Sequence, residues 1–208
     1  MDYIRTPKSD TRRSGMVRLL LLITIIVSGG ASVAQAGPMF TLGLASGGDK
    51  LAERTDGASL EAGGGVTFEL GMEISQPEDP LVFQFLIGTK FDSLTGTSGG
   101  VSTTAKISSM PLHALVMLRS DRLLLGGGLA YYMNPSYDPP FSGSSTVNFS
   151  NSSGFALEAD FAATPRMYVG LRYTSMKLKG ATLIDTSGKI YNELDASSVA
   201  LMLGIKLN

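Results

Sequence analysis

The residues that could do chemistry in this chain are few, and its single histidine, His113, is the first of them. A histidine can act as the catalytic base for a serine when the two side chains lie within hydrogen-bond reach. Ser109 lies four residues before His113 on the same face of a predicted strand, ~13 Å away. A Ser/His pair would therefore need a serine from another strand. The alternative is a polar interior histidine that is hydrogen-bonded to neighbouring carboxylates.

Ionisable residues at alternating positions form the second candidate site. Glu158 and Asp160 are i, i+2 neighbours, so their carboxylates lie on one face of a strand. This pair suits acid–base chemistry or an ion-pair network, and nothing in the sequence favours the former. Glu69, Lys90 and Arg172 occupy similar positions in other alternating segments.

Other kinds of chemistry find no support in the composition. The chain has no cysteine, which excludes disulfides, thiolate metal sites, a cysteine nucleophile and a lipoprotein attachment cysteine. The glycine runs 63–65 and 126–128 precede neither a helix nor a Lys-Ser/Thr pair, so they are not phosphate-binding loops. We expect no cofactor and no metal.

The elements that carry these residues alternate with period two. From Leu60 to Ile74 every second residue is apolar or small, and the intervening positions hold carboxylates, a threonine and glycines. A strand of about 15 residues is long for a soluble protein. It suits a strand that crosses a bilayer, with lipid on one face and a polar interior on the other.

The same pattern recurs along the chain and predicts eight strands. They cover about residues 38–45, 60–74, 81–92, 105–118, 123–133, 154–163, 167–176 and 196–207. The long connections are 46–59, 93–104, 134–153 and 177–195, and the short ones are 75–80, 119–122 and 164–166. This strict alternation of long and short connections predicts an up-and-down antiparallel barrel, with short turns at one end and loops at the other.

The polarity of the two faces favours a membrane barrel over a soluble one. One face is Leu, Val, Phe and Ile throughout, whereas the other mixes Gly, Ala, Ser and Thr with scattered ions. Such a barrel must close, because an open sheet edge in hydrocarbon leaves unpaired backbone groups. Pro111 removes one backbone donor from the fourth strand and predicts a bulge or a local irregularity there.

A narrow eight-stranded barrel is filled by side chains, so its inward ions must pair with one another. Counted from the short turns, four of them lie about midway along their strands: Glu69, His113, Glu158 and Arg172. Lys90 lies nearer the loops, whereas Glu73 and Lys206 lie near the turns. The sequence therefore predicts a polar network in the lumen made of Glu69, Lys90, His113, Glu158, Asp160 and Arg172, with Arg172 at its centre. A conducting path through the same network is the alternative.

Residues 1–36 are typical of a cleavable signal peptide, which leaves 37–208 as one barrel domain. Arginines precede the apolar run 19–27, and Ala34-Gln35-Ala36 predicts cleavage before Gly37. The run is shorter than the ~20 residues of a spanning helix, although an N-terminal anchor is the alternative. Translation could start at Met1 or Met16. Thr11-Arg12-Arg13 hints at a twin-arginine signal, but a membrane barrel should cross unfolded through the Sec pathway.

Charge argues against a nucleic-acid partner. The chain has 17 Lys and Arg and 18 Asp and Glu, of which five bases and two acids lie in the leader, so the mature chain has a net charge of −4. A nucleic-acid-binding surface would instead be basic.

Three sequence segments are similar to the strands of small outer-membrane barrels: residues 126–132, 168–173 and 198–204. On these the chain resembles the eight-stranded OmpA/OmpX-like superfamily over essentially its whole mature length. The resemblance implies an all-β, eight-stranded transmembrane barrel in the outer membrane of a Gram-negative bacterium. The chain ends Lys206-Leu207-Asn208, whereas family members usually end on an aromatic residue read by the assembly machinery.

The resemblance implies a structural or surface-interaction role rather than an enzyme. The partners it implies are outer-membrane lipid and lipopolysaccharide, the barrel-assembly machinery and an unidentified ligand of the extracellular loops. A narrow, OmpW-like channel for small or apolar solutes is the second hypothesis. A lipid A-modifying barrel is the third; in the deacylase of that group a serine follows two residues after the histidine, where this chain has Leu115.

Overall fold

The structure, a computed structural model, describes residues 35–54, 56–76, 79–98, 101–140, 145–184 and 190–207. All regular structure in these ranges is β-strand, and no described helix is long and apolar enough to span a membrane. Most of the predicted leader lies outside the described residues. Gln35 and Ala36 belong to the first strand, where they pair with Ser75 and Ile74. Cleavage after Ala36 stays a prediction.

Eight strands of the described chain form one closed antiparallel barrel. They are β1 (Gln35–Ser46), β4 (Gly65–Ser75), β5 (Leu81–Ser98), β6 (Val101–Ser120), β7 (Leu123–Asp138), β9 (Ser152–Ala162), β10 (Met167–Ser175) and β13 (Ser198–Lys206). The connections contain β2 (Lys50–Glu53), β3 (Ser59–Glu61), β8 (Val147–Asn148), β11 (Lys177–Ile184) and β12 (Ile190–Asp195). The ring order is β6-β5-β4-β1-β13-β10-β9-β7, and β7 pairs with β6 to close it. The predicted eight-stranded barrel is confirmed.

The two faces of the barrel follow the alternation of the sequence. Large apolar side chains cover the outside and are 45–59% exposed at Leu44, Leu70, Val116, Leu157, Leu171 and Leu201. Such a surface would be unfavourable in water but is favourable against hydrocarbon. The alternate positions point into the lumen and are buried, and many of them are polar or charged.

The predicted second strand, residues 60–74, is too long. The chain turns at residues 62–64, where Gly63 N donates to Gly47 O at 2.9 Å, and Gly65 follows with a φ of +107° that favours glycine. Leu60 and Ala62 are buried beside this turn rather than facing lipid. Because the short strand β3 happens to continue the alternation of β4, periodicity alone could not reveal the break.

All four predicted loops are also partly wrong. The loop 46–59 contains β2, and the loop 93–104 is strand up to Ser98 in β5 and from Val101 in β6. The loop 134–153 begins as strand β7, and the loop 177–195 contains the paired strands β11 and β12. Hydroxyl groups pair across β5 and β6, between Thr95 and Thr104 at 3.0 Å and between Thr97 and Ser102 at 3.2 Å. Cross-strand pairs of this kind stabilise a sheet even where the sequence carries no apolar alternation.

The irregularity predicted at Pro111 is confirmed. The pairing of β6 with β7 shifts register between Ser108 and Met110, and the extra residue lies on β7, where Asn134 has a φ of +48°. The ladder between β5 and β6 is interrupted at the same height, between the pairs Ile87↔Leu112 and Lys90↔Ser109. Beyond the bulge, Tyr137 of β7 is buried and its hydroxyl donates to Leu51 O at 3.5 Å.

The connections opposite the chain termini fold into a compact layer, which we call the loop cap (the described parts of 47–64 and 176–197). Its segments are joined by backbone bonds, from Asp49 N to Asp195 O at 2.8 Å and from Ala196 N to Met176 O at 2.9 Å. It has an apolar core with buried Leu51, Leu60, Tyr137, Met176, Leu178 and Leu194. We call this end of the barrel the loop end and the opposite one the turn end.

Candidate functional site

Four strands place charged or polar side chains at one height in the lumen. Glu69 is on β4, His113 on β6, Glu158 on β9 and Arg172 on β10, all at inward positions. Arg172 and Glu158 are direct cross-strand partners in the antiparallel ladder, so the backbone register itself brings them together.

Arg172 joins two carboxylates. Its Nε donates to Glu158 Oε2 at 2.5 Å, and its Nη1 donates to Glu69 Oε2 at 2.7 Å. His113 Nδ1 lies 2.7 Å from Glu69 Oε1, and Thr41 donates its hydroxyl to Glu69 Oε2 at 2.9 Å. The side chains of both charged pairs are at most 3% exposed. We call these five residues the ion cluster.

The ion cluster crosses the lumen. In the ring, β4 and β9 are four strands apart, which in an eight-stranded barrel places them on opposite walls. The guanidinium of Arg172 therefore bridges the two walls through Glu69 and Glu158. Charge-assisted bonds of this kind are strong when they are shielded from water.

Lys90 was predicted in the same network, but it does not pair with a carboxylate in the described chain. Its Nζ donates to Gly63 O at 2.5 Å and to Ser198 Oγ at 3.4 Å, and it lies 5.6 Å from the centre of the Tyr132 ring. Gly63 belongs to the loop cap, so Lys90 ties the cap to the lumen.

A second group of ions occupies the turn end. Glu73 Oε1 accepts hydrogen bonds from Arg119 Nη2 at 2.9 Å and from Lys206 Nζ at 2.7 Å. The sequence placed Glu73 and Lys206 near this end but put Arg119 in a turn. Because β6 continues to Ser120, Arg119 is still a strand residue, and its long side chain reaches the lumen.

Asp160, the last residue of the predicted network, is buried on β9 next to Gly170 of β10. Neither of its carboxylate oxygens accepts a hydrogen bond from a described N–H or hydroxyl group, and the carboxylate of Glu158 lies beside it. It therefore lies outside the hydrogen-bonded ion cluster, on the side of the turn end.

The arrangement around His113 does not favour nucleophilic catalysis. Its Nδ1 contacts Glu69, and its ring packs edge-on against Tyr132 with centroids 6.4 Å apart, but its Nε2, the nitrogen that would have to contact a serine, has no described hydrogen-bond partner. No described serine is hydrogen-bonded to His113, and no group of three or more His, Cys, Asp or Glu in the described chain could hold a metal ion. In the described chain these side chains form a buried hydrogen-bonded network.

A closed antiparallel barrel with an apolar outside and a polar, side-chain-filled inside defines an integral outer-membrane barrel. The outer membrane protein beta-barrel domain family matches residues 19–206, and the chain belongs to this family.

One solved outer-membrane protein has a similar fold, and two others match this chain less well. Ail, the attachment invasion locus protein of Yersinia pestis, solved in complex with the heparin analogue sucrose octasulfate, is 11% identical with a TM-score of 0.51; the match covers 83% of this chain and 97% of Ail. Neisserial surface protein A is 15% identical with a TM-score of 0.48, over 85% of this chain and 100% of that one. A major outer membrane protein of Thermus thermophilus is 14% identical with a TM-score of 0.40, over 82% and 99%. No curated protein matches the chain.

Proposed function

We propose that this protein is an outer-membrane barrel with a structural or surface-interaction role and a lumen closed to solutes. The observation that carries the proposal is the bridge Glu69–Arg172–Glu158, which joins opposite walls at mid-height. The loop cap supports this proposal, since its apolar core lies over the loop end and Lys90 of the lumen donates a hydrogen bond to Gly63 of the cap. A solute would have to open both layers to pass.

The second candidate function is a narrow, OmpW-like channel, and the cavity at the turn end is the observation that favours it. This cavity has a volume of about 400 Å³ and reaches inward to Asp160 and Tyr168. The ion cluster lies beyond it, however, so passage would require the Arg172 bridge to break. A lipid-modifying enzyme is the third candidate, and the absence of any described hydrogen-bond partner, serine included, at Nε2 of His113 weighs against it.

Conductance separates the first two candidates. We expect protein refolded into planar bilayers to show no stepwise single-channel current, because the ion cluster and the loop cap close the lumen at two heights. The variant Arg172→Ala, which removes only the bridge, should be equally silent because the cap remains. Steady current steps from the wild type, raised further by Arg172→Ala, would instead establish the channel function.

The orientation of the barrel is part of the proposal. Outer-membrane barrels place short turns in the periplasm and long loops outside, so the loop cap and the β5–β6 hairpin should face the medium and both termini the periplasm. The chain has no cysteine, so single cysteines are unambiguous probes.

We therefore expect a membrane-impermeant maleimide to label Thr97→Cys on intact cells, and to label Arg122→Cys only after the outer membrane is permeabilised. Thr97 lies in the β5–β6 hairpin, Arg122 lies in the turn between β6 and β7, and both are exposed. The opposite pattern of labelling would invert the orientation.

We propose that the surface role resides in the loop end, with outer-membrane lipid and lipopolysaccharide around it. Three of the described loop bases are paired: Lys177 and Lys179 bind Glu193 at 2.7 and 2.9 Å, and Arg54 Nε donates to Asp56 at 3.1 Å. Hydrogen bonds from the two lysines lower the pKa of Glu193, and the bond from Arg54 lowers the pKa of Asp56. The described acids of the loop end outnumber its bases, and this excess of negative charge disfavours a sulfated polyanion of the kind bound to Ail.

Export through the Sec pathway and insertion by the barrel-assembly machinery complete the proposal. The apolar run 19–27 behind basic residues supports the former. Membership of the family supports the latter, because a closed barrel must be assembled into an existing membrane.

A further inference from the structure

The cavity at the turn end has two walls of different chemistry. Its inner part is lined by three buried polar residues, Gln84, Asp160 and Tyr168. Its outer part is lined by three basic residues, Arg119, Arg166 and Lys206. The side chains of Arg119 and Lys206 are 30% and 23% exposed, and Arg166 is fully at the surface. The volume of about 400 Å³ is within the range of small-molecule sites.

The inner wall carries acceptors that no described group satisfies, although the Tyr168 hydroxyl and the Gln84 amide can also donate. Both carboxylate oxygens of Asp160, the Oε1 of Gln84 and the hydroxyl of Tyr168 have no hydrogen-bond partner among the described residues. All three side chains are more than nine-tenths buried. A buried acceptor without a donor is unfavourable, and most of all a carboxylate. A group that carries several N–H donors and a positive charge, such as an ammonium, is the best complement.

The outer wall has an excess of one positive charge, since Arg119, Arg166 and Lys206 face Glu73 and the exposed Asp121. Arg119 and Lys206 share one carboxylate, Glu73, so this group of three carries one positive charge in excess. The guanidinium of Arg166 makes no hydrogen bond or ion pair with any other described residue, although it lines the same cavity. An anionic group at the mouth would bind these donors, whereas a simple amine would be repelled on its way to Asp160.

We propose that this cavity binds a small zwitterion, with its ammonium group at Asp160 and its anionic group at Arg166 and the Arg119–Lys206 pair. Free amino acids and the phosphoethanolamine headgroup of a lipid share this chemistry. This site is additional to the proposed closed-barrel function. The conductance result does not test it, because a closed barrel and a channel could each contain the site.

Three probes of one chain length test the charge requirement. The barrel is refolded in an alkyl maltoside, whose headgroup is uncharged and cannot compete, and is titrated calorimetrically with γ-aminobutyrate, butylamine and butyrate. We expect γ-aminobutyrate to bind at least about tenfold more tightly than either singly charged probe, since each loses one charge-assisted contact. Equal affinities for the three probes, or no binding of γ-aminobutyrate, would overturn the proposal.

Variants then locate the site. Asp160→Asn and Arg166→Gln should each weaken γ-aminobutyrate binding about tenfold, whereas Arg122→Gln, an exposed turn arginine that does not line the cavity, should leave it unchanged. Circular dichroism checks that each barrel is folded. If Asp160→Asn does not refold, Arg166→Gln decides, since its exposed side chain has no described partner to lose. An affinity unaffected by Arg166→Gln would refute the site.

The source of the zwitterion is distinguished in lipid nanodiscs. If γ-aminobutyrate binds equally in phosphatidylethanolamine and phosphatidylglycerol discs, the site takes a free solute. If binding is weakened only in phosphatidylethanolamine, the lipid headgroup already occupies the site. Both results support a zwitterion site, and absence of binding in both discs counts against it.

Discussion

The variant Arg172→Ala is expected to be less stable than the wild type by about 3–5 kcal/mol, because it leaves two buried carboxylates without their shared cation. Arg172 holds Glu158 at 2.5 Å and Glu69 at 2.7 Å, and neither carboxylate is exposed to water. The measurement is urea-induced unfolding of the refolded barrel in detergent micelles.

The neighbouring residue provides a matched control. Leu171 is 56% exposed on the lipid side, and Leu171→Val should cost less than about 1.5 kcal/mol. A second change, Glu158→Gln, should recover part of the loss in Arg172→Ala because one stranded charge is removed. If Arg172→Ala unfolds at the wild-type urea concentration, the ion cluster does not contribute to stability.

The variant Leu60→Ala is expected to lose about 2–5 kcal/mol, as for a leucine in a packed core. Leu60 lies in a connection between barrel strands, yet it is fully buried in the loop cap. Its loss should also loosen the cap, so trypsin should cleave after Lys50 or Arg54 sooner than in the wild type. Urea unfolding and the rate of this cleavage are the two measurements.

Leu207→Ala is the control for this change. Leu207 is 60% exposed just beyond the last strand, so its truncation should change stability by less than about 0.5 kcal/mol. Equal effects of the two truncations would show that the loop cap contributes no packing energy. That outcome would also remove one of the two layers on which the closed-lumen proposal depends.

The barrel and its inward positions could be predicted because one physical constraint acts on every spanning strand. Lipid on one side and a narrow lumen on the other enforce alternation, which fixes the face of each residue within a strand. Glu69 and Arg172 could thus be assigned to the interior from their alternating positions in the strands alone. Their pairing also depended on the relative heights of β4 and β10, and the short turns at one end set those heights.

The loop cap could not be predicted, because outside the bilayer the alternation of residues along a strand does not determine which side chains are buried. Leu60 continues the apolar phase of β4, but the turn at residues 62–64 redirects it into the cap. Likewise Lys90 is at an inward position of its strand, but its partner Gly63 lies in a connection, and the sequence pattern does not predict the path of that connection.

Closure of the ring has a consequence for the order of folding. Before β1 meets β13, the strands form an open sheet in which β4 and β10 are separated by four others; in the ring only β1 and β13 lie between them. The bond from Arg172 to Glu69 can therefore form only when the first and last strands have joined. Its free energy is gained at the final step of assembly, and it opposes the first step of opening. A barrel without this bond should insert at the normal rate but separate its terminal strands sooner. The ion cluster therefore stabilises the pairing of β1 with β13 that closes the ring.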